Sequence, residues 1–415
     1  MSTGAGTIGV VDASPASTRL NLSPGTGRVI VLLSMIAFGS AMSMRVMDAA
    51  IPRLVTDFGI TIRQAANVVT VFAIAYGCLQ IVFGPSGDRF GKLKVILIAC
   101  VFGSLASAAC ALAQEFNVLL LARALAGASM ASMMPLSMAW IGDNVAYQHR
   151  QPVLARFLVG QIAGIAVGQA AGGIATDLLS WRAPFYFLCI WFVAMAFLLF
   201  RMVQAPRHQA ATGNAQALGL IAQIRSVIVR PWARRVLITV FIEGAALYGP
   251  FAFFATHLHL KHGLSLTMAG AMLVAFALGG ISFAFGAGRL VGRLGEAGLA
   301  CSGAVLMFVG ISAVALGPVS WPTAVFALPG LFAMGLGFYM LHNTLQINAT
   351  QMAPDSRGTA VACFASSFFL GQSTGVALAG FAVERMQTTP VMVISAFVLL
   401  IVGGTFSLMR SRRDA

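Results

Sequence analysis

Five ionisable side chains stand four or more residues inside runs that are otherwise apolar: Arg45 and Asp48, Arg123, Glu243, and His342. A charge at the centre of a bilayer costs about 2.5–3.5 kcal/mol unless it faces a cavity or a partner. Residues kept at that cost bind, pair or carry protons. Glu243 lies about eight residues into its run, roughly 12 Å deep at 1.5 Å per residue. A carboxyl at that depth can hold and release a proton, so Glu243 leads the proton-coupling candidates, with Asp48 and Arg123 beside it. The bland alternative is a carboxyl bonded to a neighbouring helix. Arg45 and Asp48 are three apart and share a helix face. They serve transport or form an ion pair near the end of their run. Arg123 enters its own run at a comparable depth and is expected to pair with Asp48. In FYMLHNTLQIN, Tyr339, His342, Asn343 and Gln346 have spacings of 3, 1 and 3, which makes one polar stripe. Such a stripe is expensive in lipid and should face a cavity or another helix. With Arg45, these residues are the candidate substrate contacts. Met130, in SMASMMP, adds an adaptable apolar wall or ordinary helix packing.

The elements that must position these residues follow from composition. Hydrophobic residues make up 59% of the 415 residues, charged ones only 9%. Mean hydropathy is +0.88. A soluble domain carries roughly a quarter charged residues, so this chain reads as an integral membrane protein. A crossing helix needs about 20 apolar residues. Twelve such runs occur, at 29–52, 65–84, 95–112, 117–140, 153–179, 184–202, 236–257, 266–288, 299–318, 322–346, 359–383 and 390–409. The net charge of +14 excludes little by itself, but the basic residues occupy short gaps between runs rather than one soluble face. Orientation in a bilayer accounts for them better than a nucleic acid does. With an internal amino terminus, the tails and even-to-odd connections hold 19 of the 26 Lys and Arg, and the outer connections hold five. Both ends are therefore expected in the cytoplasm. The six cysteines all fall in apolar runs and form no metal or disulfide pattern. Residues 1–27 have no signal-peptide pattern and read as a disordered tail. In the long connection after span 6, ALGLIAQIRSVIVRPWARR suggests a short interfacial helix.

The chain repeats itself. RVIVLLSMIAFGSAM from Arg28 matches RVLITVFIEGAALYG from Arg235, and RQPVLARFLVGQIAGIAVG from Arg150 matches RGTAVACFASSFFLGQSTG from Arg357, both at an offset of 207. GPSGDRFGK from Gly84 falls on GRLVGRLGE from Gly288 at an offset of 204, so that Gly91 meets Gly295 and Asp88 is replaced by Gly292. Six runs return the chain to its starting side, which makes the repeat parallel. Parallel six-helix repeats are a transporter architecture.

Several stretches carry a family likeness. G-x-x-x-D-R-x-G-K, from Gly84 to Lys92 between spans 2 and 3, resembles the signature of the major facilitator superfamily. The degraded copy at Gly288, SWRAPFYF at the start of span 6 and LLLARALAG around Arg123 fit the same likeness, which covers the chain from Arg28 onward. Gly84, Asp88, Arg89, Gly91 and Lys92 would then form a conformational latch, with the glycines allowing a tight turn and close helix approach. In span 5, Gly160, Gly164, Gly168 and Gly172 recur every four residues, followed by Gly173. They form a flat stripe for close packing, similar to the family's antiporter motif. Gln169 stands where that motif has proline, which puts its kink in question. The resemblance also implies that spans 1, 4, 7 and 10, which hold all five ionisable residues, line a central cavity.

The expected fold is an all-α membrane protein of twelve transmembrane helices in two parallel six-helix repeats, the major facilitator fold. The expected organisation is a disordered cytoplasmic tail at 1–27, a six-helix bundle at 28–203, a cytoplasmic linker at 204–234, a second bundle at 235–409 and a cytoplasmic tail at 410–415. No phosphate-binding loop, nucleophile elbow or zinc helix motif occurs, so no enzyme, metal or cofactor is implied. The energy source would be a proton gradient. The expected function is secondary transport by alternating access, as proton-coupled efflux of small, fairly apolar compounds or drugs. The alternatives are proton-coupled uptake of a polar nutrient or organic anion, and a non-transporting membrane sensor. The expected partners are a small-molecule substrate, protons and the lipid of a bacterial inner membrane. No nucleic acid is expected, and the chain is expected to act as a monomer.

Overall fold

Apolar runs this long can satisfy their backbone polar groups in lipid only by coiling into helices. The computed structural model describes residues 24–203, 220–317 and 327–414, and among them no strand occurs. The helices of the first half are α1 (Pro24–Arg45), α2 (Ile51–Phe58), α3 (Ile62–Phe90), α4 (Lys92–Leu112), α5 (Phe116–Met130), α6 (Met133–Asn144), α7 (Tyr147–Leu178) and α8 (Ala183–Val203). The second half has α9 (Leu220–Ile228), α10 (Pro231–Phe251), α11 (Phe254–His262), α12 (Leu266–Leu316), α13 (Ala327–Gln351), α14 (Arg357–Met386) and α15 (Thr388–Asp414). Ten helical segments among the described residues are long and apolar enough to cross a membrane. They show their apolar side chains outward as well as inward. Ile190, for example, is 70% exposed, as a lipid-facing residue would be.

The helix ends depart from expectation at several points. The tail expected at 1–27 lies outside the described residues up to position 23, and α1 already begins at Pro24. α15 continues through the expected tail at 410–415 as far as Asp414, held there by Arg410 Nε on Glu296 Oε2 at 2.7 Å. The runs at 117–140 and 236–257 are each broken. α5 gives way to α6 at 131–132, and α10 to α11 at 252–253, just after Pro250. The chain likewise leaves helix after Arg45 and turns through 46–50. α7, by contrast, runs unbroken through Gln169 for 32 residues. Without a proline at that position, nothing interrupts its hydrogen-bond ladder there.

The connections need particular residues. The signature stretch makes a turn of a single residue: α3 is helical to Phe90, and Gly91 alone, at φ 90°, carries the chain into α4. Gly84 and Gly87 are therefore helical rather than part of a turn. Gly295, at φ 63° and ψ −179°, breaks the 51-residue α12 in the same way. Both conformations are ones that side chains disfavour. At the other end of the bundle, Thr61 and Gln64 close a capping box on α3, and Ser265 caps α12 at Met268 N.

Packing fixes the orientation of the helices. Gly160, Gly164, Gly168 and Gly172 of α7 lie against the backbone carbonyls of Ser34, Phe38, Met42 and Val46. The paired numbers rise together, so α1 and α7 run parallel. Gly371 and Gly375 of α14 lie against Phe241 and Ala245 of α10 in the same manner. A Cβ at any of these glycines would collide with backbone. The halves join where Arg63 of α3 meets Glu384 of α14 (3.2 Å) and where Asp177 of α7 accepts from Thr267 N of α12 (2.6 Å). The start of α3 and the end of α14 therefore share one face of the bundle. The starts of α1 and α10 and the end of α15 share the other, the terminal face, where Arg413 stacks on Trp232 at 4.5 Å.

Candidate functional site

Two buried polar groups, one in each half, meet at the seam between the halves. In the first half, the break after α1 turns both Arg45 and Asp48 inward, with their side chains 3% and 0% exposed. Arg45 Nη1 lies 3.7 Å from Asp48 Oδ2. Its Nη2 donates to Gln372 Oε1 of α14 at 3.4 Å, and its guanidinium sits 3.9 Å above the Tyr248 ring of α10. Arg45 thus reaches across the seam. Neither oxygen of Asp48 has a hydrogen-bond partner among the described residues.

Arg123 does not pair with Asp48 as the sequence suggested. Its Nε donates to Val68 O at 3.1 Å, its Nη1 donates to Ser43 O at 2.9 Å, and its guanidinium lies over the Phe72 ring at 4.2 Å. Two carbonyls and an aromatic face hold Nε and Nη1 and tie α1, α3 and α5 together, while Nη2 is buried with no hydrogen-bond partner among the described residues. Met130 is likewise fully buried in the core of the first half and lies beside Gly103 of α4. It packs between helices and does not line an open wall.

In the second half, Glu243 of α10 meets His342 of α13, Oε2 to Nδ1 at 2.8 Å. α10 begins at Pro231, earlier than the apolar run suggested, so Glu243 is twelve residues in and about 18 Å deep. Its side chain is fully buried, while His342 is 18% exposed. The pair therefore has one inner member and one accessible member. The His342 ring is surrounded by Phe338, Phe364 and Phe368, with centroids at 4.9, 5.3 and 4.7 Å. Tyr248 touches Phe338 and Phe368 as well as Arg45, which links the two polar groups. Tyr339, His342 and Asn343 are half-buried and Gln346 is exposed, all along one strip of α13. Tyr339 packs over Gly280 and Phe276 of α12.

The signature residues are dispersed around Gly91. Lys92 Nζ binds Asp143 Oδ2 of α6 at 2.8 Å, and Arg89 is exposed, its guanidinium 5.2 Å from the Phe90 ring centroid. Gly87 makes room for Leu136. The side chains at Gly84 and Asp88 lie outside the described residues. Gly173 faces Leu266 and Gly270 of α12, across the seam. Sequence reasoning missed Gln372, Tyr248, Asp177 and the Arg63–Glu384 pair. Gln372 carried a usable signal, an amide inside an apolar run. The others became significant only through partners far away in sequence. No cluster of three or more metal-ligating side chains occurs among the described residues, and the six cysteines are free.

A bundle of apolar helices with a buried, seam-crossing polar site is the build of a membrane transporter. The family model for the Major Facilitator Superfamily matches residues 33–375. The chain belongs to that superfamily, and it is a secondary transporter that moves small molecules across a membrane by alternating access. It is 22% identical over 346 residues to the uncharacterized MFS-type transporter YceJ of Bacillus subtilis (strain 168), covering 81% of this chain and 84% of YceJ. It is 28% identical over 170 residues to the probable multidrug resistance protein EmrY of Escherichia coli (strain K12), covering 40% of this chain and 33% of EmrY. Its fold is similar to that of the nucleoside transporter NupG, with a TM-score of 0.76 at 13% identity over 93% of this chain and 99% of NupG.

Proposed function

We propose that this transporter exports small, fairly apolar compounds in exchange for protons, in the manner of the drug:proton antiporters. The observation that carries the reading is the Glu243–His342 pair, a buried carboxyl and an accessible imidazole at 2.8 Å inside a ring of phenylalanines. The carboxyl can carry the proton, and the aromatic walls suit an apolar substrate. The partial likeness to EmrY supports export. Arg45 and the polar strip of α13 favour the second reading, uptake of a polar nutrient or organic anion.

The same proposal includes twelve spans in two parallel repeats. The break at Gly295 divides α12 into two membrane-length segments, and α13 supplies 25 further residues whose polar strip lowers their apolar content. Gly91 and Gly295, and the caps Thr61 and Ser265, fall at the offset of 204 found in the sequence. α1 ends at Arg45 and α10 at Phe251, within one residue of the offset of 207. The distribution of basic residues supports a cytoplasmic terminal face, and the reading takes the membrane to be a bacterial inner membrane. Residues 84–92 would latch that face, and the protein would work as a monomer.

Proton exchange in inside-out vesicles with an acid interior tests the reading. A panel of lipophilic cations, neutral drugs, sugars and organic acids is added, and loss of the pH gradient is followed. Export predicts that an apolar compound dissipates the gradient with the native protein and not with Glu243→Gln. Accumulation of a sugar or acid in right-side-out vesicles, with no response here, would establish uptake instead.

A further inference from the structure

A groove of about 650 Å³ runs along the outside of the first half between α1, α7 and α8. From α1 it is lined by residues at 27, 30, 31, 34, 35 and 38, one face of the helix at spacings of three and four. Gly27 to Phe38 is eleven residues, about 16 Å of helix. One leaflet of a 30 Å hydrocarbon core is about 15 Å deep. The groove starts where the apolar runs of α1 and α7 start, at Val29 and Val153. It ends at Trp191 and Phe38, whose rings lie 5.2 Å apart. Its length and placement are those of a single acyl chain reaching from the headgroup level of the terminal-face leaflet to the bilayer midplane.

The chemistry along the groove changes in the same direction. Arg156 lines it about one turn below the mouth, level with Ile30 and exposed, and Arg28 shares the α1 register of Val31 and Met35 at its edge. Among the described residues no carboxylate lines it. Apart from Ser34 the rest of the wall is apolar, with Val153 at the mouth and Ile30, Val31 and Val159 below it. The floor is closed toward the protein interior, because Gly160 and Gly164 press on the carbonyls of Ser34 and Phe38. A molecule in the groove therefore stays on the lipid side and does not pass to the seam. We propose that this groove is a binding site for one anionic phospholipid of the terminal-face leaflet, with its phosphate on Arg156 and an acyl chain against Trp191. An uncharged or zwitterionic lipid would fill the apolar part equally well, so the cations decide which headgroup is held.

Trp191 reports on the deep end of the groove. The protein is reconstituted in phosphatidylcholine vesicles in which a rising fraction of lipid is phosphatidylglycerol, or phosphatidylcholine, with bromine at mid-chain. The Trp191 signal is the difference between the native protein and Trp191→Phe, which removes the background of the other tryptophans. Brominated phosphatidylglycerol should quench it at about fivefold lower mole fraction than brominated phosphatidylcholine, the preference expected of one basic side chain near the surface. The double exchange of Arg28→Gln with Arg156→Gln should abolish the preference, and Arg156→Lys alone should keep it. Both arginines are exposed, so neither exchange threatens the fold. Equal quenching by the two lipids, or a preference that survives the double exchange, overturns the proposal. So does a preference removed by added inorganic phosphate, because the site would then hold a free anion and not a lipid.

Discussion

At the scale of single residues, burial separates the roles of groups that look alike in sequence. Glu243 and Asp48 are both fully buried carboxyls, yet only Glu243 has a partner at hydrogen-bond distance. Arg45 and Arg123 are both buried cations, but Arg123 is spent on backbone carbonyls of its own half while Arg45 spans the seam. The Glu243–His342 pair gives a sharp expectation. Removing one member of a buried pair leaves the other without a partner, at a cost of roughly 3–5 kcal/mol. His342→Ala should therefore lower the melting temperature in detergent markedly, because it strands Glu243. Glu243→Gln should lower it less, because the amide still reaches the imidazole. An unchanged melting temperature in both variants would show that the pair does not hold α10 to α13.

At the scale of elements, the fold depends on helices brought into backbone contact. The glycines of α7 step along α1 at 34, 38, 42 and 46, one per turn, so the two axes stay close for about four turns. A side chain there has nowhere to go. Gly164→Leu should destabilise the protein by at least the 1–3 kcal/mol typical of overpacking, read as a lower melting temperature. Gly404→Leu, at a helical glycine with open space around it, should shift it little. Three helices that carry the polar site are interrupted beside it: α1 after Arg45, α5 at 131 and α10 at 252. The backbone N–H groups at the breaks stay bonded, as at Val46 to Met42 O, Ala131 to Gly127 O and Ala252 to Tyr248 O.

At the scale of the molecule, the polar contacts that join the halves on the face opposite the termini are weak. Arg63 and Glu384 are 50% and 34% exposed, and an exposed pair contributes about 0–1 kcal/mol. Asp177 at the start of α12 adds a charge on a helix terminus, worth about 0.3–1 kcal/mol. Alternating access needs a closure of this kind, strong enough to define a state and weak enough to open each cycle. Replacing Arg63 and Glu384 together by Cys should trap the closed face on oxidation. Transport should fall at least tenfold and return with reductant. Undiminished transport by the fully cross-linked protein would show that this face need not open.

The sequence by itself determined that the chain lies in a membrane as helices, because 59% apolar residues in runs of about 20 leave no other way to satisfy backbone polar groups in lipid. It also marked Arg45, Asp48, Arg123, Glu243 and His342, since the cost of burying charge is legible wherever a charge interrupts an apolar run. The close-packing glycines of α7 were legible from their spacing of four, and the break at Gly295 from its match to Gly91. Partnership was not legible. That Glu243 meets His342 across 99 positions, that Arg45 meets Gln372 across 327, and that Arg123 turns to Ser43 and Val68 instead of Asp48 were decided by tertiary packing. The physical reason is range. Hydropathy and helical period are properties of neighbours along the chain, whereas a hydrogen bond between two helices depends on their rotation and depth, which only the packing of all the others fixes.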